Sequence, residues 1–348
     1  MHSAFEFSSP KRGQDSRRVR TALGAVAVAL AVAFGGNVAT TTPILASEKV
    51  TMAYLPVTHA LPLFVALEEK MFEAEGIEPE AVKMENPNLI IDSFISGRSD
   101  IGPLASAAGI TVIASTRFPG TMKVFGLQGG NPTGGQVNES LIVPADSAIE
   151  SFADLKGKRM AHLPGIQWKT ISRFIIQKNG LDPDKDVTLQ DLAVPNWTQA
   201  LLGGTVDAVL ALEPVASMAA ANDNIKVVVV NPTALFIADP FWAGASVITT
   251  KFMKERPSVA KKTIAVIDKA TRMVEDDFKK YAPLLAKYTA VPQSAIPVVG
   301  PVYWRTNTQI EEKDIVAYQA FADIFHDAGV IKAHLDVRTI MLQPDDLK

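Results

Sequence analysis

The sequence predicts an α/β protein of two lobes, each built on its own sheet, joined by two hinge crossovers. Three observations lead there. Short apolar, β-rich runs at residues 50–55, 122–127, 140–143, 160–163, 206–212 and 225–230 alternate with stretches of helical periodicity, the pattern of largely parallel sheets. One helix–turn–strand phrase occurs twice: Gly97-Arg98-Ser99-Asp100-Ile101 follows the helical residues 89–95, and Gly204-Thr205-Val206-Asp207-Ala208 follows 198–202. Each reads as a helix stopped by Gly, a turn with Asp, and a new strand. Finally, the 302 residues beyond residue 46 exceed what one hydrophobic core serves.

The first 46 residues stand apart from this pattern. Lys11, Arg12, Arg17, Arg18 and Arg20 precede an apolar run at 22–34, and small residues follow up to Ala46. A basic region, a short apolar region and a small residue before the cut make a cleavable signal peptide. The apolar run is shorter than the ~20 residues needed to span a bilayer. Cleavage is expected after Ala46. Arg17-Arg18 resembles a twin-arginine signal, but Arg20 and Thr21 stand where apolar residues should follow, so the general secretory route is expected. The chain has no Cys, which excludes a lipid-anchored Cys, a disulfide and a thiolate site. Removing residues 1–46 takes away five basic and two acidic residues and moves the net charge from −3 to −6. No strongly basic face follows, so nucleic acid is not the expected partner.

After residue 46, the run 50–55 ends at Pro56, and Leu61, Phe64, Leu67 and Met71 then form one helical stripe before Gly76. Two stretches break the alternation, 129–136, rich in Gly, Asn, Pro and Thr, and 234–244. They read as the crossovers. The expected division is therefore a signal peptide at 1–46, a discontinuous first lobe of 47–138 plus 245–348, and a second lobe of 139–244.

Five phrases carry a resemblance that covers nearly all of the chain beyond residue 46. They are LPLFVALEEKMFEAEG from Leu61, SFISGRSDIGPL from Ser93, SFADLKGKRMAH from Ser151, ALLGGTVDAVLALEPVA from Ala200 and FADIFHDAGVIKAHLDV from Phe321. In this order they resemble segments of the nitrate, sulfonate and taurine substrate-binding proteins of ABC importers, a group that thiamine-precursor-pyrimidine binders are similar to. The resemblance implies a type II periplasmic binding protein that holds a small-molecule ligand between its lobes. It also implies a periplasmic location, no cofactor, a monomer, and delivery to the transmembrane subunits of a permease whose ATPase is a separate chain. No G-x-x-x-x-G-K-[ST] phosphate loop occurs here. The shared phrases are mostly turns and core, so they do not identify the ligand.

Ligands of open α/β sheets sit beyond the carboxyl ends of the strands. Two strand-to-helix loops qualify: Pro56-Val57-Thr58-His59, and Pro164-Gly165-Ile166-Gln167-Trp168. Free N–H groups at such helix starts favour an anionic or polar group. Gln167 and Trp168 stand where small hydroxyl residues would suit bare nitrate, which points to a ligand with a flat or apolar portion. Trp197 and Trp242 occupy two further rim positions. An aromatic-lined pocket fits this set, and core packing is the alternative for each Trp. Glu213, before Pro214, is placed to meet ligand or to fix a turn, as is Asn131 in the first crossover. Ser106, beyond the strand entered at Asp100, and His59 complete the candidates.

With no Cys, and with His2, His59, His162, His326 and His334 at no metal-ligand spacing, neither a zinc site nor a thiol nucleophile has support. The pyrimidine synthases similar to this fold carry a cysteine-rich motif that is absent here. The chain is therefore expected not to be an enzyme; a secreted enzyme or a sensor-linked binding protein is the alternative. The first expectation for the ligand is an alkanesulfonate or taurine-like anion, and the second a thiamine-precursor pyrimidine or another aromatic compound.

Overall fold

The computed structural model describes residues 47–104 and 108–348. The signal-peptide reading of residues 1–46 and the candidate Ser106 lie outside the described residues. The strands are β1 (Glu48–Tyr54), β2 (Ile77–Lys83), β3 (Ile101–Gly102), β4 (Met122–Gly130), β5 (Glu139–Pro144), β6 (Lys158–His162), β7 (Val187–Asp191), β8 (Ala208–Leu212), β9 (Ile225–Val230), β10 (Phe241–Thr249) and β11 (Tyr303–Thr306). They form two sheets. The first has the order β11-β4-β10-β3-β1-β2 and the second β7-β6-β8-β5-β9. This is the mixed α/β architecture the sequence predicts, with each sheet joined to the other through the β4–β5 and β9–β10 connections.

The repeated Gly-x-x-Asp phrase has the same geometry in both sheets. Gly97 and Gly204 take φ of 69° and 68°, left-handed values that a side chain would strain. The Asp that follows then bonds the preceding parallel strand twice. Asp100 N donates to Thr51 O, and its carboxylate accepts Thr51 N–H at 3.0 Å. Asp207 N donates to Arg159 O, and its carboxylate accepts Arg159 N–H at 2.8 Å. An Arg neutralises each carboxylate, Arg256 at 2.7 Å from Asp100 and Arg159 itself at 2.8 Å from Asp207. The strands entered pair in parallel, Met52 with Ile101 and Met160 with Ala208.

The middle of the first sheet is buried on both faces. All nine residues of β10 are buried, as are eight of the nine in β4. The two run antiparallel with Trp242 opposite Gly129, and a Cβ at Gly129 would lie 1.7 Å from Phe241 O, so only Gly allows this approach. Residues 241–244, assigned from sequence to the second crossover and second lobe, hydrogen-bond in the first sheet as the start of β10. The longest helix among the described residues, Pro257–Asp276, starts on a Pro and buries Ala260, Ile264, Ile267, Ala270, Thr271 and Val274 at helical spacing. It packs on the helix Leu61–Glu68. A single apolar cluster includes Val57, Ile90 and Ile110 from the first sheet's side with Leu141, Met160, Trp168 and Leu210 from the second, so the two sheets close on each other.

Candidate functional site

Loops, strand ends and a helix start from the two sheets' sides meet in a set of buried side chains, each of which can be followed to the next. The loop after β1 buries Thr58 and His59. His59 Nε2 lies 2.8 Å from Asn138 Oδ1, just before β5, and the His59 carbonyl accepts the indole N–H of Trp304 at 3.0 Å. Trp304 stands opposite Gln128 on β4, and Gln128 Nε2 donates to Ser246 Oγ of β10 at 2.9 Å. One residue on, Gly129 pairs with Trp242, whose ring stacks on Tyr303 with centroids 5.3 Å apart. The carbonyl of the next residue, Ala243, accepts Gln167 Nε2–H at 2.9 Å, and Trp168 follows Gln167 in the helix Ile166–Lys178.

Several polar atoms in this chain of neighbours are buried without a hydrogen-bond partner in the protein: Thr58 Oγ1, His59 Nδ1, Gln128 Oε1, Trp168 Nε1 and Trp242 Nε1. Buried polar atoms are paired in the great majority of cases, so a concentration of unpaired ones is chemically informative. The set offers indole donors, an amide acceptor, a hydroxyl and an imidazole nitrogen. Among the described residues no Lys or Arg is buried.

Carboxyl groups lie on the second sheet's side. Glu139 accepts Thr233 N–H at 2.9 Å, the Thr233 hydroxyl at 2.5 Å and the Asn138 amide, yet burial raises its pKa. Glu213 is buried at the end of β8, accepts the Ser217 hydroxyl at 2.9 Å, and is pushed up to about 8 by burial. Burial pushes His59 the other way, down to about 4. In each case burial disfavours the charged form.

The remaining candidates fall in different surroundings. Trp197 is fully buried, and its indole N–H donates to Leu192 O at 2.7 Å, within the second sheet's own half. Asn131 is half-buried and shapes the β4–β5 turn through backbone bonds with Gln136 and Gly134. Gly165 takes φ of 116°, and a Cβ there would sit 3.0 Å from Asn88 of the helix Pro87–Ile95, on the first sheet's side. Sequence reasoning passed over Gln128, Asn138 and Glu139. Gln128 sits inside a strand run with nothing local to mark it, whereas Asn138 and Glu139 follow a crossover whose end the Gly-rich stretch does not fix.

Solved structures share this architecture. The periplasmic aliphatic sulphonate binding protein SsuA of Escherichia coli aligns over 85% of this chain and 92% of its own, with a TM-score of 0.68 and 18% identity. The alkanesulfonate-binding SsuA of Xanthomonas axonopodis pv. citri, bound to MOPS, aligns over 85% and 98% with a TM-score of 0.68 and 19% identity. The periplasmic nitrate-binding protein NrtA of Synechocystis PCC 6803 aligns over 86% and 87% with a TM-score of 0.64 and 15% identity. The fold is thus that of the type II periplasmic binding proteins. In sequence, the NMT1/THI5-like family pattern matches residues 57–277, and the chain belongs to that family. A relative in Bacillus subtilis (strain 168), named a putative aliphatic sulfonates-binding protein, is 24% identical over 285 residues, 80% of this chain and 82% of its own.

Proposed function

We propose that this chain is the extracytoplasmic substrate-binding component of an ABC importer, which captures a small organic solute between two lobes and hands it to a membrane permease. The observation that carries the reading is the set of unpaired buried polar atoms contributed from both sheets' sides, Thr58, His59, Gln128 and Trp242 from one and Trp168 from the other. A solute between the sheets would complete their hydrogen bonds. The lobes we assign follow the sheets, 47–138 plus 241–348 and 139–240, with the signal peptide removed after Ala46 and the mature protein a periplasmic monomer. The permease and its ATPase are separate chains, and no catalysis is assigned to this one.

For the solute, the names of the relatives support an alkanesulfonate-type anion, held by N–H and hydroxyl donors in the absence of a buried cation. One observation favours a second reading, a flat aromatic solute such as a pyrimidine: the Trp242–Tyr303 stack and Trp168 put aromatic surface beside the unpaired atoms. Thermal shift over alkanesulfonates, nitrate, pyrimidines and aromatic carboxylates separates the two. A true solute at a hundred times its Kd stabilises the fold by about 2.7 kcal/mol. A screen in which none of these classes raises the melting temperature would count against the binding role.

A further inference from the structure

Gln167 spends its side chain on contacts between the sheets. It is 1% exposed and sits in the first turn of the helix Ile166–Lys178, which follows β6 of the second sheet. Its Oε1 accepts the backbone N–H groups of Gly109 at 2.9 Å and Ile110 at 3.2 Å, in the first turn of the helix Ala108–Arg117 on the first sheet's side. Its Nε2 donates to Ala243 O of β10 at 2.9 Å. Both carbonyl lone pairs and one of two amide protons are thus engaged with the opposite half. Gln167 thus hydrogen-bonds the first described turn of that helix from the opposite half.

We infer that Gln167 is a positioning residue, an interlobe clamp that holds the two sheets closed before any solute has bound. The inference rests on reading the space between the sheets as the solute site. Solute reaches that site only when the three bonds break, and the Gly109 and Ile110 amides are withheld from solute while the clamp is made. Gln167 therefore acts on affinity through the open–closed equilibrium and not by touching solute. The neighbouring Trp168, with its unpaired N–H, is the contrasting case.

The chain has no Cys, so a pair of introduced cysteines can carry spin labels without background. Asp327→Cys and Gln177→Cys place them on the two walls of a groove of about 590 Å³ between the helices Glu312–Asp327 and Ile166–Lys178, one on each half. In solute-free protein with Gln167 intact, the label distance is short and narrowly distributed. Gln167→Met keeps the volume and removes all three bonds, and it lengthens that distance while the melting temperature stays close to the parent's. Gln167→Glu keeps the acceptor and loses the donor to Ala243, lengthens it less, and decides the matter alone if the Met variant fails to fold. An unchanged distance in the variants, or a long distance in the solute-free parent, overturns the clamp. If the clamp result holds but no alkanesulfonate, nitrate or pyrimidine shortens the opened variant's distance or raises either protein's melting temperature, the solute-site reading fails and the clamp stands.

Discussion

His59 Nε2 and Asn138 Oδ1 lie 2.8 Å apart, a bond that runs from the loop after β1 to the residue before β5 and so links the two sheets. It requires Nε2 to carry the proton, which leaves Nδ1 as the unpaired acceptor. Because burial holds His59 near 4 in the fold against an ordinary 6.5, the unfolded chain binds the extra proton between those values. Stability from keeping His59 neutral is present above pH 6.5 and is lost as pH falls towards 4. Lowering the pH from 7 to 4.5 should therefore raise the urea midpoint of His59→Gln relative to the parent's, and an unchanged gap between the two proteins would contradict a buried neutral His59.

Glu213 works in the opposite direction. Its folded value of about 8 exceeds the ordinary 4.5, so the fold binds a proton that the unfolded chain has released. Its contribution is greatest below pH 4.5 and declines as pH rises through 8, at up to ~1.4 kcal/mol per pH unit. Glu213→Gln should flatten the stability profile between pH 6.5 and 8, above the range in which His59 titrates, while keeping a bond to Ser217. A variant as pH-dependent as the parent over this range would rule out a buried, protonated Glu213.

The two second-sheet tryptophans should separate cleanly. Trp197 has its N–H satisfied and its ring packed, so Trp197→Ala should cost ~3–5 kcal/mol in denaturant unfolding. The folded remainder should bind solute normally. Trp168→Phe keeps an aromatic ring and removes the unpaired N–H with part of the indole, so it should cost less stability than Trp197→Ala and weaken solute binding about tenfold. Calorimetric titration of both variants checks the contrast, and equal affinity losses would contradict it.

Gly129→Ala places a methyl group 1.7 Å from the Phe241 carbonyl, between two strands with no room to part. The expected loss is ~3 kcal/mol or more. Gly135→Ala is the control: its φ is 77°, but nothing lies within 4 Å of an added Cβ, so it reports backbone strain without a steric clash. A smaller loss at Gly129 than at Gly135 would be inconsistent with the close approach.

Asp100 and Asp207 should behave as a matched pair. Replacing either with Ala leaves a backbone N–H of the neighbouring strand without its acceptor and removes the carboxylate beside an Arg, at a cost of ~1–3 kcal/mol each. Because the sites belong to different sheets with no shared partner, the double variant should lose the sum. Chemical unfolding of the singles and the double gives the comparison.

That pairing is also where the sequence was most informative. Gly-x-x-Asp is common, but its recurrence behind a helix and ahead of a strand reflects one requirement met twice, a left-handed residue followed by a carboxylate reaching the adjacent strand. Apolar runs likewise marked the buried strands. β2 (IEPEAVK) and β7 (VTLQD) escaped because they are edge strands whose exposed positions carry polar residues. β10 escaped because Pro240 and Gly244 flank and interrupt it, which reads as a connection. The loops after β1 and β6 were visible as strand-to-helix turns, yet the partner of Gln167 was not. Its bonds go to backbone amides 57 and 58 positions away and to a carbonyl 76 positions away, and backbone partners leave no mark in a side-chain pattern.

The order in which the chain emerges follows from the place of β10. Residues 139–230 hold every strand of the second sheet, whereas the first sheet is interrupted after β4 and regains its central strand only at 241–249. A chain synthesised or threaded across a membrane amino-end first therefore delivers its inner block complete while the outer block still lacks its middle. The late-closing block must keep the facing edges of β3 and β4 unpaired until β10 arrives, so passage through the cell depends on handling that half-built sheet.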